Sequence, residues 1–366
     1  MGNTVRVGAV QGSRTTISYR VPTPREALEQ VKANLEVLAA QAVEAAGKGC
    51  TIAAFGEDTL GTIQWEAGHW DRVADLLVPA EEATLERMGQ VAAEHTMNII
   101  VCNDFAEGAD VYNTAVLIGP DGREIGRYHK VNLPLHEQAR TRGDGFPVFD
   151  APGVGSIGMC ICYDLVFPET TRALALAGAD IVFHLTMGGA SSANREASMA
   201  CTKARAAENY VYLVVAWRGG NSLILGPKAE TLASGKEAPG ELLVADIDPT
   251  VGREAGDAHG GTTSDFRARL FRERVPSAYG MLMEETPPVL EKLKGVHVLS
   301  GREAAALSAE IFTHASVAFY EADAKFKEGR LSETKAEFTR LAERYGTTWI
   351  GRASRDRLAK IAEEEK

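Results

Sequence analysis

The strongest constraint on this chain is an alternation that stops. Between Val5 and Ile247 short β-branched or apolar runs trade places with amphipathic helical stretches, and beyond about Val275 no further run reads as a strand. Strands are predicted at Val5–Gln11, Thr51–Phe55, Asn98–Cys102, Ile157–Cys162, Asp180–Leu185, Tyr210–Ala216, Ser222–Leu225 and Leu242–Ile247. Helical spacing covers Pro24–Ala46, Glu81–His95, Pro168–Ala177 and Arg195–Asn209. Tyr112–Gly119 and Arg123–Tyr128 flank Pro120-Asp121-Gly122, a hairpin signal. Alternating units with some hairpins predict an α/β protein with a mixed sheet or two stacked sheets.

The rest of the chain is helical in pattern: Arg302–Tyr320, Glu321–Lys327, Ser332–Arg344 and Thr348–Glu363. Its charge also differs. Residues 301–366 hold 12 basic and 12 acidic residues, so the net −11 of the protein falls entirely on the first 300 residues. Two domains are therefore expected, at residues 1–285 and 286–366. Tyr320, Ala322, Phe326, Gly329, Phe338, Leu341, Tyr345 and Ala353 are spaced as in a tetratricopeptide-type hairpin. A single repeat cannot bury its own faces. The extension is expected to pack on the main domain or on a neighbouring subunit, or to dock another protein.

Several function classes drop out. A 45% hydrophobic, 24% charged composition does not describe a disordered chain. Net negative charge argues against nonspecific nucleic-acid binding and against attraction to anionic membranes, and no apolar run approaches a membrane span. Met1–Thr4 leads into Val5–Val10 without a basic leader or cleavage site, so a cytoplasmic protein with five reduced thiols is expected. No CxxC occurs and the eight histidines lack HxxxH spacing, so no metal is expected. Gly153–Gly158 fits GxGxxG but leads into a strand instead of opening a helix, which removes the nucleotide reading.

Three segments carry chemistry. In Cys160-Ile161-Cys162-Tyr163-Asp164, Cys162 falls where a strand meets a helix, and helix-end N–H groups there stabilise an anion. Alternation places Cys160 and Cys162 on one face, about 7 Å apart at Cα. Cys160 then reads as core, and Cys162 as a second buried hydrophobe or as a nucleophile at the strand exit. A redox pair is the remaining alternative. Glu57 follows the apolar run Ala53-Ala54-Phe55-Gly56, where a carboxylate is costly unless paired. Lys130 ends the second hairpin strand in Tyr128-His129-Lys130-Val131-Asn132, where by itself it reads as surface charge.

In this order, and with Val7–Gln11, Tyr112–Ala115 and Arg205–Asn209 as weaker marks, the chain from Val5 to Ile247 resembles the carbon-nitrogen hydrolase family, the nitrilase superfamily. The resemblance implies a four-layer αββα sandwich, here carrying a C-terminal helical extension, and a cofactor-free Glu-Lys-Cys triad. Glu57 would be the general base, Lys130 the oxyanion stabiliser and Cys162 the nucleophile. Glu137 matches the family's second glutamate, and the Tyr163 N–H would join the oxyanion site. Lys130, as a nearby cation, would favour the Cys162 thiolate. The resemblance also implies a homodimer or larger assembly.

Tyr163-Asp164 followed by Phe167-Pro168-Glu169 resembles the amidase and carbamoyl-hydrolase branches, whereas nitrilases tend to carry Trp-Glu after the nucleophile. The closest pattern is Cys-Tyr-Asp-Leu-Arg-Phe of the Nit-type ω-amidases, with Val166 in place of the arginine. His184–Gly189 and Trp217 also depart from the family pattern. His184, Met187 and Trp217, with Trp65, His69 and Trp70, are candidate substrate-lining residues; the last three read equally as loop packing. The expected activity is hydrolysis of a small amide or carbamoyl amide. The alternatives are a nitrilase and a noncatalytic scaffold that binds a protein partner through its tail.

Overall fold

A computed structural model describes residues 4–12, 15–188, 194–250, 265–293, 301–346 and 348–364. Met1–Asn3 and Gly189, both used in the sequence argument, lie outside the described residues. In chain order come β1 (Val5–Val10), α1 (Pro24–Gly47), β2 (Ile52–Phe55), α2 (Ile63–Gly68), α3 (Ala74–His95), β3 (Asn98–Glu107), β4 (Asp110–Ile118) and β5 (Glu124–His129). A second series follows: β6 (Val148–Ala151), β7 (Gly155–Ile161), α4 (Pro168–Leu176), β8 (Ile181–Thr186), α5 (Arg195–Ala207), β9 (Tyr212–Trp217), β10 (Leu223–Leu225), β11 (Thr231–Ser234) and β12 (Leu242–Ile247).

These strands make two six-stranded sheets, ordered β12-β1-β2-β3-β4-β5 and β11-β10-β9-β8-β7-β6. In each, three adjacent central strands run parallel, β1-β2-β3 and β7-β8-β9, and antiparallel strands flank them. Successive side chains point to opposite faces. Val10, Ala53, Phe55, Ile99 and Val101 pack under α1 and α3, while Val7, Ala9, Ile52, Ala54 and Ile100 meet Ile157, Met159, Ile161 and Phe183 between the sheets. Val182, Leu213 and Val215 close the other side. The result is the αββα sandwich. Covering both faces explains why the central strands read as continuous apolar runs.

Some boundaries differ from the sequence reading. α3 begins at Ala74 instead of Glu81 and runs through Pro79, because buried Leu76, Leu77 and Ala80 outweigh the one hydrogen bond the proline forfeits. β7 ends at Ile161, and Cys162 opens a 3-10 turn, Cys162–Val166, with φ +45°. That turn corrects the expectation of two thiols on one face. Cys160 packs in the cluster outside the second sheet, whereas Cys162 lies against the cluster between the sheets.

Beyond β12 lie α6 (Phe266–Arg272), α7 (Val289–Lys292), α8 (Gly301–Glu310), α9 (Ser316–Lys327), α10 (Leu331–Arg344) and α11 (Trp349–Glu364). α8 and α9 are joined without a break by a π-turn, Ile311–Ala315, where the Ser316 hydroxyl donates to the Ile311 carbonyl (2.9 Å). The patterns expected at Arg302–Tyr320 and Glu321–Lys327 are thus one helical stretch, ending before Gly329. Phe319, Phe338, Leu341, Ile350 and Ile361 form a small core for α9–α11, and Leu135 of the sandwich packs against it. Trp70 meets Phe312 edge-on (5.2 Å) and Tyr19 stacks on Tyr320 (6.0 Å). The extension thus covers its open face with loops of its own sandwich.

Candidate active site

Three strand ends converge between the sheets. Glu57 follows β2 and is 2% exposed. Gly56 before it has no room for a side chain: a Cβ there would lie 2.6 Å from the Arg218 backbone nitrogen, so the chain leaving β9 passes directly over this corner. Glu57 Oε1 accepts from Lys130 Nζ (2.9 Å) and Asn113 Nδ2 (2.9 Å), and Oε2 accepts from the Met187 N–H (3.3 Å). Lys130 follows β5 and is fully buried. Its Nζ also donates to Glu137 Oε2 (2.6 Å), which sits on a 3-10 turn, Leu135–Glu137. Glu57, Lys130 and Glu137 thus form one buried chain of two carboxylates on one ammonium. Burial alone would lower the Lys130 pKa, but Glu137 and Glu57 outweigh it and hold Lys130 well above the ordinary lysine value. Burial likewise pushes Glu137 up, but Lys130, with His136 and Arg140, holds it well below the usual carboxylate range.

Cys162 stands at the exit of β7. A positive φ at a non-glycine residue is strained and persists only where neighbours fix it. Asp164 supplies much of that fixing. Its Oδ2 accepts from the Ile161 N–H (3.0 Å) and the Tyr128 hydroxyl (2.7 Å), and its Oδ1 from the Asn132 N–H (2.9 Å) and Nδ2 (3.0 Å). One carboxylate therefore ties the cysteine turn to the segment that carries Lys130. His184 Nε2 lies 3.0 Å from the Cys162 carbonyl oxygen. Burial lowers its pKa to about 4, so the ring is neutral and Nε2 carries the proton given to that carbonyl. The Thr186 hydroxyl donates to the Gly188 carbonyl and accepts from the Gly188 N–H (2.8 Å).

Burial, then Glu57, pushes the Cys162 thiol up to about 12; Lys130 pulls the other way without prevailing. Lys130 does favour the thiolate, as expected, but burial and Glu57 together outweigh it, and the resting group is a thiol. Tyr163 lies in the first turn after the cysteine, where N–H groups have no acceptor within the turn.

The candidate lining residues separate. Met187 is beside Glu57, is 41% exposed, and its sulfur accepts from Arg218 Nη1 (3.3 Å). Trp65 is not a pocket wall: it is fully buried, bonds the Val21 carbonyl (3.0 Å) and stacks on His69 (4.4 Å). His69 bonds the Trp65 carbonyl (2.9 Å), and Trp70 turns toward the C-terminal helices. His184 lies behind the cysteine backbone. Trp217 packs outside the second sheet, where it lines a cavity of about 300 Å³ with Ser198, Met199, Thr202 and Leu223, on the opposite side of the sheet from Cys162. The apolar-strand argument used for Glu57 applies equally to Asp164, and Asn113 sits in a quoted motif, but neither was singled out as a site residue. Among the described residues no cluster of three metal-ligating side chains occurs.

A family model described as carbon-nitrogen hydrolase matches residues 6–256. A protein of Pyrococcus abyssi described as a nitrilase is 39% identical over 185 residues, 47% of this chain and 66% of that one, just under two thirds of its length. A deaminated glutathione amidase of Synechocystis is 29% identical over 254 residues, covering 62% of this chain and 88% of that protein. Among solved structures, an amidase of Nesterenkonia from the nitrilase superfamily superposes with a TM-score of 0.58 at 23% identity, covering 75% of this chain and 96% of that chain, a likeness of fold. That amidase is also known with acrylamide joined to its active-site cysteine.

Proposed function

The chain belongs to the carbon-nitrogen hydrolase family, and from that premise we propose that it is a cysteine-dependent hydrolase of small amides or carbamoyl amides, with Cys162, Glu57 and Lys130 as its triad. The observation that carries the reading is the buried Glu57–Lys130–Glu137 ion chain, meeting a cysteine turn at positive φ.

The thiol proton passes to Glu57 as sulfur attacks the carbonyl carbon, because a thiol near pKa 12 holds almost no thiolate at neutral pH. Oε1 of Glu57 is occupied by Lys130 and Asn113, so Oε2 takes the proton. The new oxyanion is held by the Tyr163 N–H and by the third N–H of Lys130, whose other two serve Glu57 and Glu137. Glu57 then gives its proton to the nitrogen as the C–N bond breaks, and ammonia or an amine leaves. Water transfers a proton to Glu57 and attacks the thioester carbon; the acid departs and the proton returns to sulfur. Glu137 keeps the Lys130 ammonium in place throughout.

Tyr163-Asp164 after the nucleophile favours amides over nitriles. Ammonia release should be measured on the purified protein across formamide, butyramide, a carbamoyl amino acid and butyronitrile. The nitrile should be slower than the best amide or carbamoyl substrate by about tenfold or more, about 1.4 kcal/mol of barrier. A nitrile that outruns every other substrate tenfold would favour the nitrilase reading, and no turnover at all would favour the scaffold. Val275, Met281, Leu282, Met283 and Val289, each more than half exposed, support a homodimer or larger, which sedimentation at micromolar protein checks. Among the described residues no helix is long and apolar enough to cross a membrane.

A further inference from the structure

The segment that carries Glu137 is poorly supported by its own backbone. From Pro134 to Arg140 it has one short 3-10 turn, Leu135–Glu137, and three backbone bonds: the Glu137 N–H to the Pro134 carbonyl (2.9 Å), the Gln138 N–H to the Leu135 carbonyl (3.5 Å) and the Arg140 N–H to the Glu137 carbonyl (2.9 Å). The C-terminal extension grips it on both sides of Glu137. Before the glutamate, Leu135 packs into the extension's apolar cluster with Ile311 and Ala315. After it, the Ala139 N–H donates to the hydroxyl of Ser308, which is fully buried (3.1 Å). Arg140 is 5% exposed, and its guanidinium lies 4.7 Å from the Phe312 ring centroid and 5.8 Å from that of Trp70. The same guanidinium donates to Asp104 Oδ2 (2.6 Å) and Glu66 Oε2 (3.2 Å), so Phe312 closes the outer face of an arginine whose edges are held by the sandwich.

We propose that the C-terminal helices are a clamp that sets Glu137 on Lys130, with Ser308 and Phe312 as positioning residues. Neither touches the reacting atoms. Released on one side, the Glu137 carboxylate moves away from Nζ, and the ammonium is left with Glu57 as its one carboxylate partner. The N–H that should meet the oxyanion then points elsewhere. A shift of about 1 Å in such a group costs on the order of a hundredfold in rate. The extension is in this sense part of the hydrolase and more than a cover for its loops. The inference rests on the proposed roles of Lys130 and Cys162.

The test uses the full chain. Ser308→Ala, Phe312→Ala and Phe312→Tyr are compared for ammonia release from butyramide, with sites counted by iodoacetamide labelling of Cys162 and a mass readout. Phe312→Ala should lower kcat per labelled site about tenfold or more, with KM changed by less than about threefold. Ser308→Ala should lower kcat about threefold, and Phe312→Tyr, which keeps the ring over Arg140, should restore at least half of the wild-type kcat. A purely structural role would lower the number of labelled sites or the melting temperature but leave kcat per site alone. Values within twofold of wild type for both alanine variants overturn the clamp. If Phe312→Ala does not fold, Ser308→Ala decides by itself, because it removes one hydroxyl. A wild-type protein that releases no ammonia, or whose Cys162→Ala variant releases it at the wild-type rate, overturns the triad reading, and the clamp falls with it.

Discussion

Replacing Glu57 by glutamine separates two accounts of how the thiol is activated. The side chain keeps its shape, and its amide oxygen still accepts from Lys130 and Asn113. Its NH2 would face the Met187 N–H, donor against donor, at a cost of about 1 kcal/mol, or about 2–4 °C of melting temperature. The chemistry changes far more. With Cys162 near 12, the thiolate is about 10⁻⁵ of the thiol at pH 7, against a few per cent for an ordinary cysteine. If Glu57 takes the proton during attack, losing it should cost at least the ~10²–10⁴ of a general base, and we expect a fall in kcat of about 10³. If the rate instead depends on preformed thiolate, the sign reverses. The Glu57 charge is the second cause of the raised thiol pKa, so its removal makes the thiolate easier to form and should speed the reaction. Ammonia release and iodoacetamide labelling of Cys162, measured on the same sample across pH 6–9, distinguish the two. We expect labelling to accelerate at pH 7 while turnover collapses. A folded Glu57→Gln variant with kcat within tenfold of wild type would refute the general-base assignment.

Cys162→Ala should abolish turnover at nearly unchanged stability, while Cys160→Ala should cost about 1–2 kcal/mol in urea unfolding and leave turnover within about twofold, since Cys160 is fully buried outside the second sheet. The reverse pattern would exchange their roles. His184 is held neutral by burial, with a pKa of about 4 against ~6.5 in the unfolded chain, so between those values the unfolded state binds the extra proton and stability is lost as pH falls. The urea-unfolding advantage of wild type over His184→Asn should therefore shrink by about 3 kcal/mol from pH 7 to pH 4. A constant difference would mean that the ring is not kept neutral.

The sandwich was legible because its central strands are buried on both faces and so appear as apolar runs that need no partner to be recognised. β6 and β11 were not read, and they are the two edges of the second sheet. Phe149 and Asp150 of β6, and Thr231 and Leu232 of β11, carry little burial of their own, so pairing defines those strands more than composition does. Glu57 stood out because it ends a strand, where a carboxylate after an apolar run is costly without a partner; Lys130, preceded by Arg127 and His129, reads alone as surface charge, and Cys162 alone as a buried hydrophobe or a nucleophile, so only the family resemblance joined the three. Asp164 obeyed the same rule, but its partners, Tyr128 and Asn132, are more than thirty residues away in sequence.

The sequence by itself determined which residues lie in the central strands and which helices cover them, because these follow from local periodicity. Only the tertiary structure decided where the side chains at chain turns point. A period of two carries Cys162 to the face of Cys160 until one positive φ turns it toward Glu57 and Lys130. Trp65, His69 and Trp70 follow Glu57 closely in sequence, yet Val21 and Phe312, brought in from elsewhere in the chain, claim Trp65 and Trp70 for packing. The grip of the C-terminal helices on Glu137 was likewise beyond any local pattern. Ser308 and Ala139 are 169 residues apart, and what joins them is the need of one helical hairpin to cover an apolar face it cannot bury alone.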